Sequence, residues 1–105
     1  MTNQVIVVGR LAEDIKTEKD EKNIEIAKIK IIVSRPFKNV DGIYESDVIP
    51  CVLWSGIINT AVEYCHKGDL LGIRGRLQMM DDKIQVIAEK MTFLSSNKKK
   101  EENDD

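Results

Sequence analysis

Two stretches of this chain alternate apolar and polar residues with a period of two, and that period admits little besides β-sheet. In residues 69–79, "DLLGIRGRLQM", Leu71, Ile73, Gly75, Leu77 and Met79 share one face, and Gly72, Arg74, Arg76 and Gln78 share the other. In residues 24–34, "IEIAKIKIIVS", Ala27, Ile29, Ile31 and Val33 oppose Ile24, Ile26, Lys28 and Lys30. Three more runs read as strands. Residues 3–11 are β-branched, with Gly9 marking a bulge or a close backbone approach. Residues 44–54 carry Pro50 as a flaw that suits an edge or a bulge, and residues 83–94 end the pattern. One stretch differs: Ile57, Ile58, Ala61, Val62 and Cys65 recur at helical spacing over residues 57–66, with Ser55 as the predicted N-cap and Gly68 as the stop.

The connections are equally legible. Residues 12–23, "AEDIKTEKDEKN", are charged and aperiodic, which predicts a mobile surface loop. Asp41-Gly42 predicts a hairpin between the second and third strands, and "MDDK" a turn between the fourth and fifth. Three strands, one helix and two strands is the order of an all-β fold with one helix. It suits a five-stranded Greek-key barrel of the OB type, with the helix between strands 3 and 4. The length suits one domain, residues 1–94, followed by a polar tail over residues 95–105 that is expected to stay disordered.

Composition removes several classes of function. Apolar runs such as Val5 to Val8 are far too short to cross a bilayer, and the start lacks the basic, apolar and small-residue pattern of a leader, so a cytoplasmic, nucleoid-associated setting is expected. Cys51 and Cys65 lack C-x-x-C spacing and are read as reduced, semi-buried fillers; His66 follows Cys65 directly, a poor geometry for a shared metal. No acid–base pair, nucleophile or phosphate-cradling loop stands out, so no catalytic residue, metal or cofactor is expected, and a binding module is favoured over an enzyme. A net charge of −2 means that any site for a polyanion must arise from local clustering.

Such a cluster exists around "RPFKN". Phe37, Tyr44 and Trp54 lie in or beside one hairpin, with Arg35 and Lys38 flanking Phe37. Single strands of nucleic acid bind by stacking bases on aromatic rings beside cations, each stacked base contributing about 1–3 kcal/mol. Arg35, Lys38, Arg74 and Arg76 are the candidate phosphate contacts. On the residues alone, Trp54 fits core packing as well as it fits a site. Phe37 could instead staple the hairpin, and Arg74 and Arg76 could be an exposed face with ion pairs.

Taken in order, "NQVIVVGRLAEDI", "SRPFKNVDGIYESDVIPCVLW", "KGDLLGIRGRLQ" and "EKMTFL" resemble the bacterial single-stranded DNA-binding protein family over residues 3–94. The resemblance implies an OB-fold and sequence-independent binding of single-stranded DNA in replication, recombination and repair. It implies a homo-oligomer, a tetramer built as a pair of dimers that associate through the first strand, with a dimer as the alternative. Phe37 and Trp54 match stacking positions of the family, Lys67 matches a lysine near the DNA, and Arg10 and Arg76 match positions that are often polar or basic. The chain departs from the pattern at Val48, where members carry Trp or Phe, at Pro50 and Gly56, and at Gln78 and Met80, where arginines are common. Its fourth-to-fifth-strand connection is short, and its acidic end lacks the apolar tip by which members dock replication and repair proteins. These departures motivate a second expectation, an OB-fold protein–protein adaptor with weak nucleic-acid binding. RNA as the ligand is not separated from DNA by stacking and phosphate contacts.

Overall fold

The computed structural model of the chain describes residues 1–97. Its elements are β1 (Val5–Leu11), β2 (Thr17–Lys19), β3 (Glu25–Lys38), β4 (Tyr44–Trp54), α1 (Ser55–Tyr64), β5 (Leu70–Met80) and β6 (Lys83–Ser95). The sheet runs β1-β5-β6-β4-β3-β2, and a further pairing of β1 with β3 closes the five long strands into a barrel. That closure is short: Arg10 faces Ile32 and Leu11 faces Ile31. All pairings are antiparallel except β4 with β6, where Cys51 faces Val86 and Val52 faces Ile87.

The period-two pattern becomes inside and outside. Leu11, Ala27, Ile29, Ile31, Leu53, Leu71 and Ile73 fill the barrel, and α1 adds Ile58 and Ala61 to the same core. Cys51 and Cys65 are free and fully buried, deeper than the half-burial expected of them. Burial pushes the Cys51 thiol up to about 12 and raises Cys65 as well, so neither is a ready nucleophile. Leu77 and Met79 continue the inward phase of β5 but are exposed, because the β5–β6 hairpin runs on past the barrel wall.

Three local expectations change. The segment 12–23 contains a strand: Thr17 to Lys19 pair with Glu25 to Ala27. A tight turn makes this possible, since the Asp20 carboxylate accepts from the backbone N–H of both Lys22 and Ile24, and Asn23 takes φ 67°. β3 runs on to Lys38, so Phe37 lies in a strand rather than at a loop edge. Pro36 is tolerated because the register shifts between Ser34 and Lys38, the irregularity a proline in a sheet needs.

The helix also moves. It spans Ser55–Tyr64, Trp54 takes the N-cap position, and no side chain caps it, so Ser55 is the first helical residue and not the cap. At the other end the buried Asp69 carboxylate accepts the backbone N–H of His66 at 2.8 Å, an N–H that a longer helix would use internally. The same carboxylate accepts the N–H of Asn97 at 3.0 Å, which fastens the chain after β6 to this turn. Of the tail expected to be disordered, Ser95 belongs to β6; residues 98–105 lie outside the described residues. No helix among the described residues is long and apolar enough to cross a membrane.

Gly75 sits at a register shift where a Cβ would run into the carbonyl oxygen of Ile87. Backbone cannot yield as a side-chain end can, so Gly75→Ala is expected to lower stability by about 1–3 kcal/mol. Gly56→Ala, in the first turn of α1 with open space around the new methyl, should instead raise it by up to ~1 kcal/mol. Urea midpoints at unchanged slope check both; equal midpoints for the two variants contradict the assignment.

Candidate nucleic-acid interface

Residues facing one another across an antiparallel ladder point to the same side. On β3 and β4 the pairs Ile26–Trp54, Lys28–Val52, Lys30–Pro50 and Ile32–Val48 therefore share the outer face of the barrel. Val52 also faces Ile87, which faces Arg76; Gln85 faces Gln78 and Lys83 faces Met80, extending this face across β6 and β5. Ile26, Val52 and Ile87 are buried there beneath the half-buried Trp54 and Met80. Of the two roles that the sequence left open, Trp54 packs part of its surface on a small outer cluster, and the rest of that surface meets solvent.

A groove of roughly 560 Å³ opens beside Trp54. β2 and the turn after it supply Glu18, Asp20 and Glu21 to its lining, and Asp81 adds a fourth carboxylate. A second groove of roughly 220 Å³ lies further along the same face, lined by Lys28, Lys30, Pro50, Lys83 and Gln85 among others. Among the described residues no carboxylate lines it. Phe37 stands toward the far end of the ladder and is 66% exposed. From Ile26 to Ile32 the ladder spans about 20 Å at ~3.3 Å per residue, and Phe37 lies beyond that.

The cations predicted from sequence are dispersed by the fold. Arg35 is committed to two carboxylates: its Nε and Nη2 donate to the two oxygens of Asp47 at 3.1 and 2.8 Å, and its Nη1 donates to Glu45 at 2.6 Å. This bidentate pairing holds the Asp47 carboxyl below the usual carboxylate range and raises Arg35. Lys38 places Nζ 5.7 Å from the centre of the Tyr44 ring, beside Phe37. Arg76 donates to Glu89 at 3.4 Å and to Gln78 at 3.1 Å, on the Trp54 side of the barrel.

Arg74 is elsewhere: it faces Ile6 and shares a groove with Val8, Lys90 and Leu94 on the β1 side. Arg10 borders the ladder next to Ile32 and donates to the Gly68 carbonyl at 3.1 Å. Lys67 belongs to that same turn, where its backbone N–H donates to Asp14 at 2.8 Å. On sequence alone Lys28 and Lys30 form a face that can meet water or an anion, with a solvated face favoured, and Lys83 is not singled out. Their signal is phase: Lys28 and Lys30 keep step with Ile26, and only the β3–β4 register puts them on the side of Trp54.

A closed five-strand barrel with one helix, carrying Trp54, Lys28 and Lys30 on one outer face, defines an OB-type fold. The single-strand binding protein family model matches residues 2–94, and the chain belongs to that family. It is 38% identical over 78 residues to single-stranded DNA-binding protein B of Bacillus subtilis, covering 74% of this chain and 69% of the relative. It is 34% identical over 105 residues to single-stranded DNA-binding protein 3 of Listeria innocua, covering 91% and 66%. The chain thus spans about two thirds of the length of these relatives. The fold is similar to that of a mitochondrial single-stranded DNA-binding protein from S. cerevisiae, with TM-score 0.75 and 18% identity over 92% of this chain and all of that one. Family membership makes this a binding protein, not an enzyme.

Replacing Arg35 by Gln removes the only cation that Asp47 is bonded to among the described residues. The Asp47 carboxyl should then titrate at higher pH, back toward the ordinary aspartate range, in a carbon-detected NMR titration. An unmoved Asp47 would show that the pairing does not persist in solution.

Proposed function

We propose that this chain binds single-stranded DNA irrespective of sequence, with bases stacked on Trp54 and Phe37 at the two ends of the β3–β4 ladder. The observation that carries this reading is the ladder itself: an outward Trp54 seated on Ile26 and Val52 at one end, and an exposed Phe37 toward the other. Rings fixed by a sheet lose little freedom on stacking, and every base offers a π-face, so affinity comes without sequence preference. The side chains of Arg10, Lys38 and Lys67 have no acidic partner among the described residues and meet phosphates directly. Arg35 and Arg76 reach a phosphate only by giving up their carboxylates. The names of the relatives and the family match support the same ligand, and nothing favours the adaptor reading.

The protein acts where strands are exposed in replication, recombination and repair, in the cytoplasm at the nucleoid. It does so as a homo-oligomer, a tetramer made of two dimers that associate through β1. Supporting that assembly, Ile6 is 72% exposed and Val8 and Leu94 lie beside it around a groove of roughly 310 Å³, an apolar strip that a second copy would cover.

Titration with oligo-dT at low salt should quench Trp54 emission, and Trp54→Ala and Phe37→Ala should each weaken binding about 5- to 150-fold, the range that 1–3 kcal/mol per stacked base implies. Fluorescence anisotropy of labelled oligo-dT reads all three proteins, including the one without Trp54. No binding by the unaltered protein at low salt sinks the proposal.

A further inference from the structure

We infer that the phosphates of the bound strand are held by Lys28, Lys30 and Lys83, in the groove across β3, β4 and β6, and that the acidic β2–β3 turn fixes the side of Trp54 on which the backbone passes. The inference rests on the single-strand reading above and deepens it.

Three observations carry it. The first is register: Lys28 and Lys30 face Val52 and Pro50 on the outer side of the ladder that ends at Ile26 and Trp54, and all three lysines line one groove with Pro50 and Gln85. The second is partnering. Arg35 and Arg76 are bonded to Asp47, Glu45 and Glu89, while Lys30 and Lys83 have no acidic partner among the described residues. Lys28 has only a loose contact with Glu18 at 3.8 Å between two exposed side chains, a pairing worth little in water and readily exchanged for a phosphate. The third is the contrast between the two grooves. Glu18, Asp20, Glu21 and Asp81 outnumber Lys19, Lys22 and Lys28 around Trp54, so a phosphate is repelled on that side. The neighbouring groove has three lysines and no carboxylate. A base on Trp54 therefore leaves its phosphate in one direction only, over Lys28 and on to Lys30 and Lys83. Pro50 helps by presenting a short, rigid ring between them, which leaves the groove open to a ligand.

Phosphate contacts are counted by salt. Each one lost from a single-strand complex flattens the plot of log K against log salt by about 0.7. Oligo-dT titrations from low to moderate salt, read by anisotropy, should show the K30Q/K83Q slope reduced by about 1.4 relative to the unaltered protein. K30R/K83R should keep the unaltered slope, because charge and not the ammonium itself is what the contact needs. K16Q, an exposed lysine outside both grooves, should leave the slope unchanged. Far-ultraviolet circular dichroism confirms that each variant is folded. The inference is overturned if K30Q/K83Q keeps the unaltered slope, if K16Q flattens it as much per lysine, or if the arginine pair behaves like the glutamine pair. Failure of the unaltered protein to bind oligo-dT at all is a separate result, and it overturns the single-strand reading together with this one.

Discussion

The barrel closes where β1 meets β3, and the rest of the molecule depends on how closely those backbones approach. Gly9 is buried one residue before the closing pairs, and any Cβ there would strike the Ile32 carbonyl oxygen and the Ile31 side chain. Just past the pairs, the Ala12 N–H donates to the Lys30 carbonyl at 2.9 Å. A sheet twisted through five strands meets itself only if one wall turns sharply, and a residue without a side chain permits that turn. Once the wall is closed, alternate residues of β3, β4 and β5 have no choice of side. Ala27, Ile29 and Ile31 go into the core, while Lys28, Lys30 and Ile32 go out.

Closure also explains why the ligand face is on the outside. The interior is occupied by apolar strand residues and by Ile58 and Ala61 of α1, a setting that does not suit a charged strand. Strands longer than the barrel is tall must project from it, as β3 does through Phe37 and β5 through Met79. A projecting two-stranded hairpin has little core of its own and is marginal by itself. Here the Arg35 clasp on Asp47 and Glu45, with Asn39 bonded to Glu45 at 3.1 Å, ties β3 to β4 beyond the core. Holding Phe37 in place therefore uses the cation that, from sequence alone, looked best placed to meet a phosphate beside it.

Sequence patterning made the five long strands, the helix and their order legible because each is governed by local periodicity. The Asp41-Gly42 turn was equally legible, with Gly42 at φ 77°. What stayed hidden depends on contacts distant along the chain. β2 is three exposed residues whose pairing comes from the Asp20 turn and has no apolar signature. The helix end is set by Asp69, a residue outside the helix. Phe37 and Trp54 stood out in the sequence because few aromatics occur in the chain, and the fold leaves Phe37 exposed and Trp54 half-buried. The state of the cations was not readable, because partners decide which of them are free: Arg35 and Arg76 look identical to free arginines until Asp47 and Glu89 are seen opposite them.

An acidic protein that binds a polyanion needs its charges separated in space rather than in sum. At physiological ionic strength, interactions between exposed charges fade over about 8 Å, whereas the molecule extends 45 × 36 × 22 Å. A phosphate over Lys30 and Lys83 is governed by those lysines and hardly by the carboxylates of distant loops. The net charge of −2 is then irrelevant to the grip and relevant only to the approach, which is slower than for a basic protein. The same short range gives the β2–β3 turn its effect. Its carboxylates line the Trp54 groove itself, within reach of a bound strand, so they act on the path of the backbone while leaving the ring free to stack. Bases, being neutral, are indifferent to these acids; phosphates are not. Where the sheet carries Trp54 between an acidic wall and a lysine groove, a single ring is enough to orient the strand.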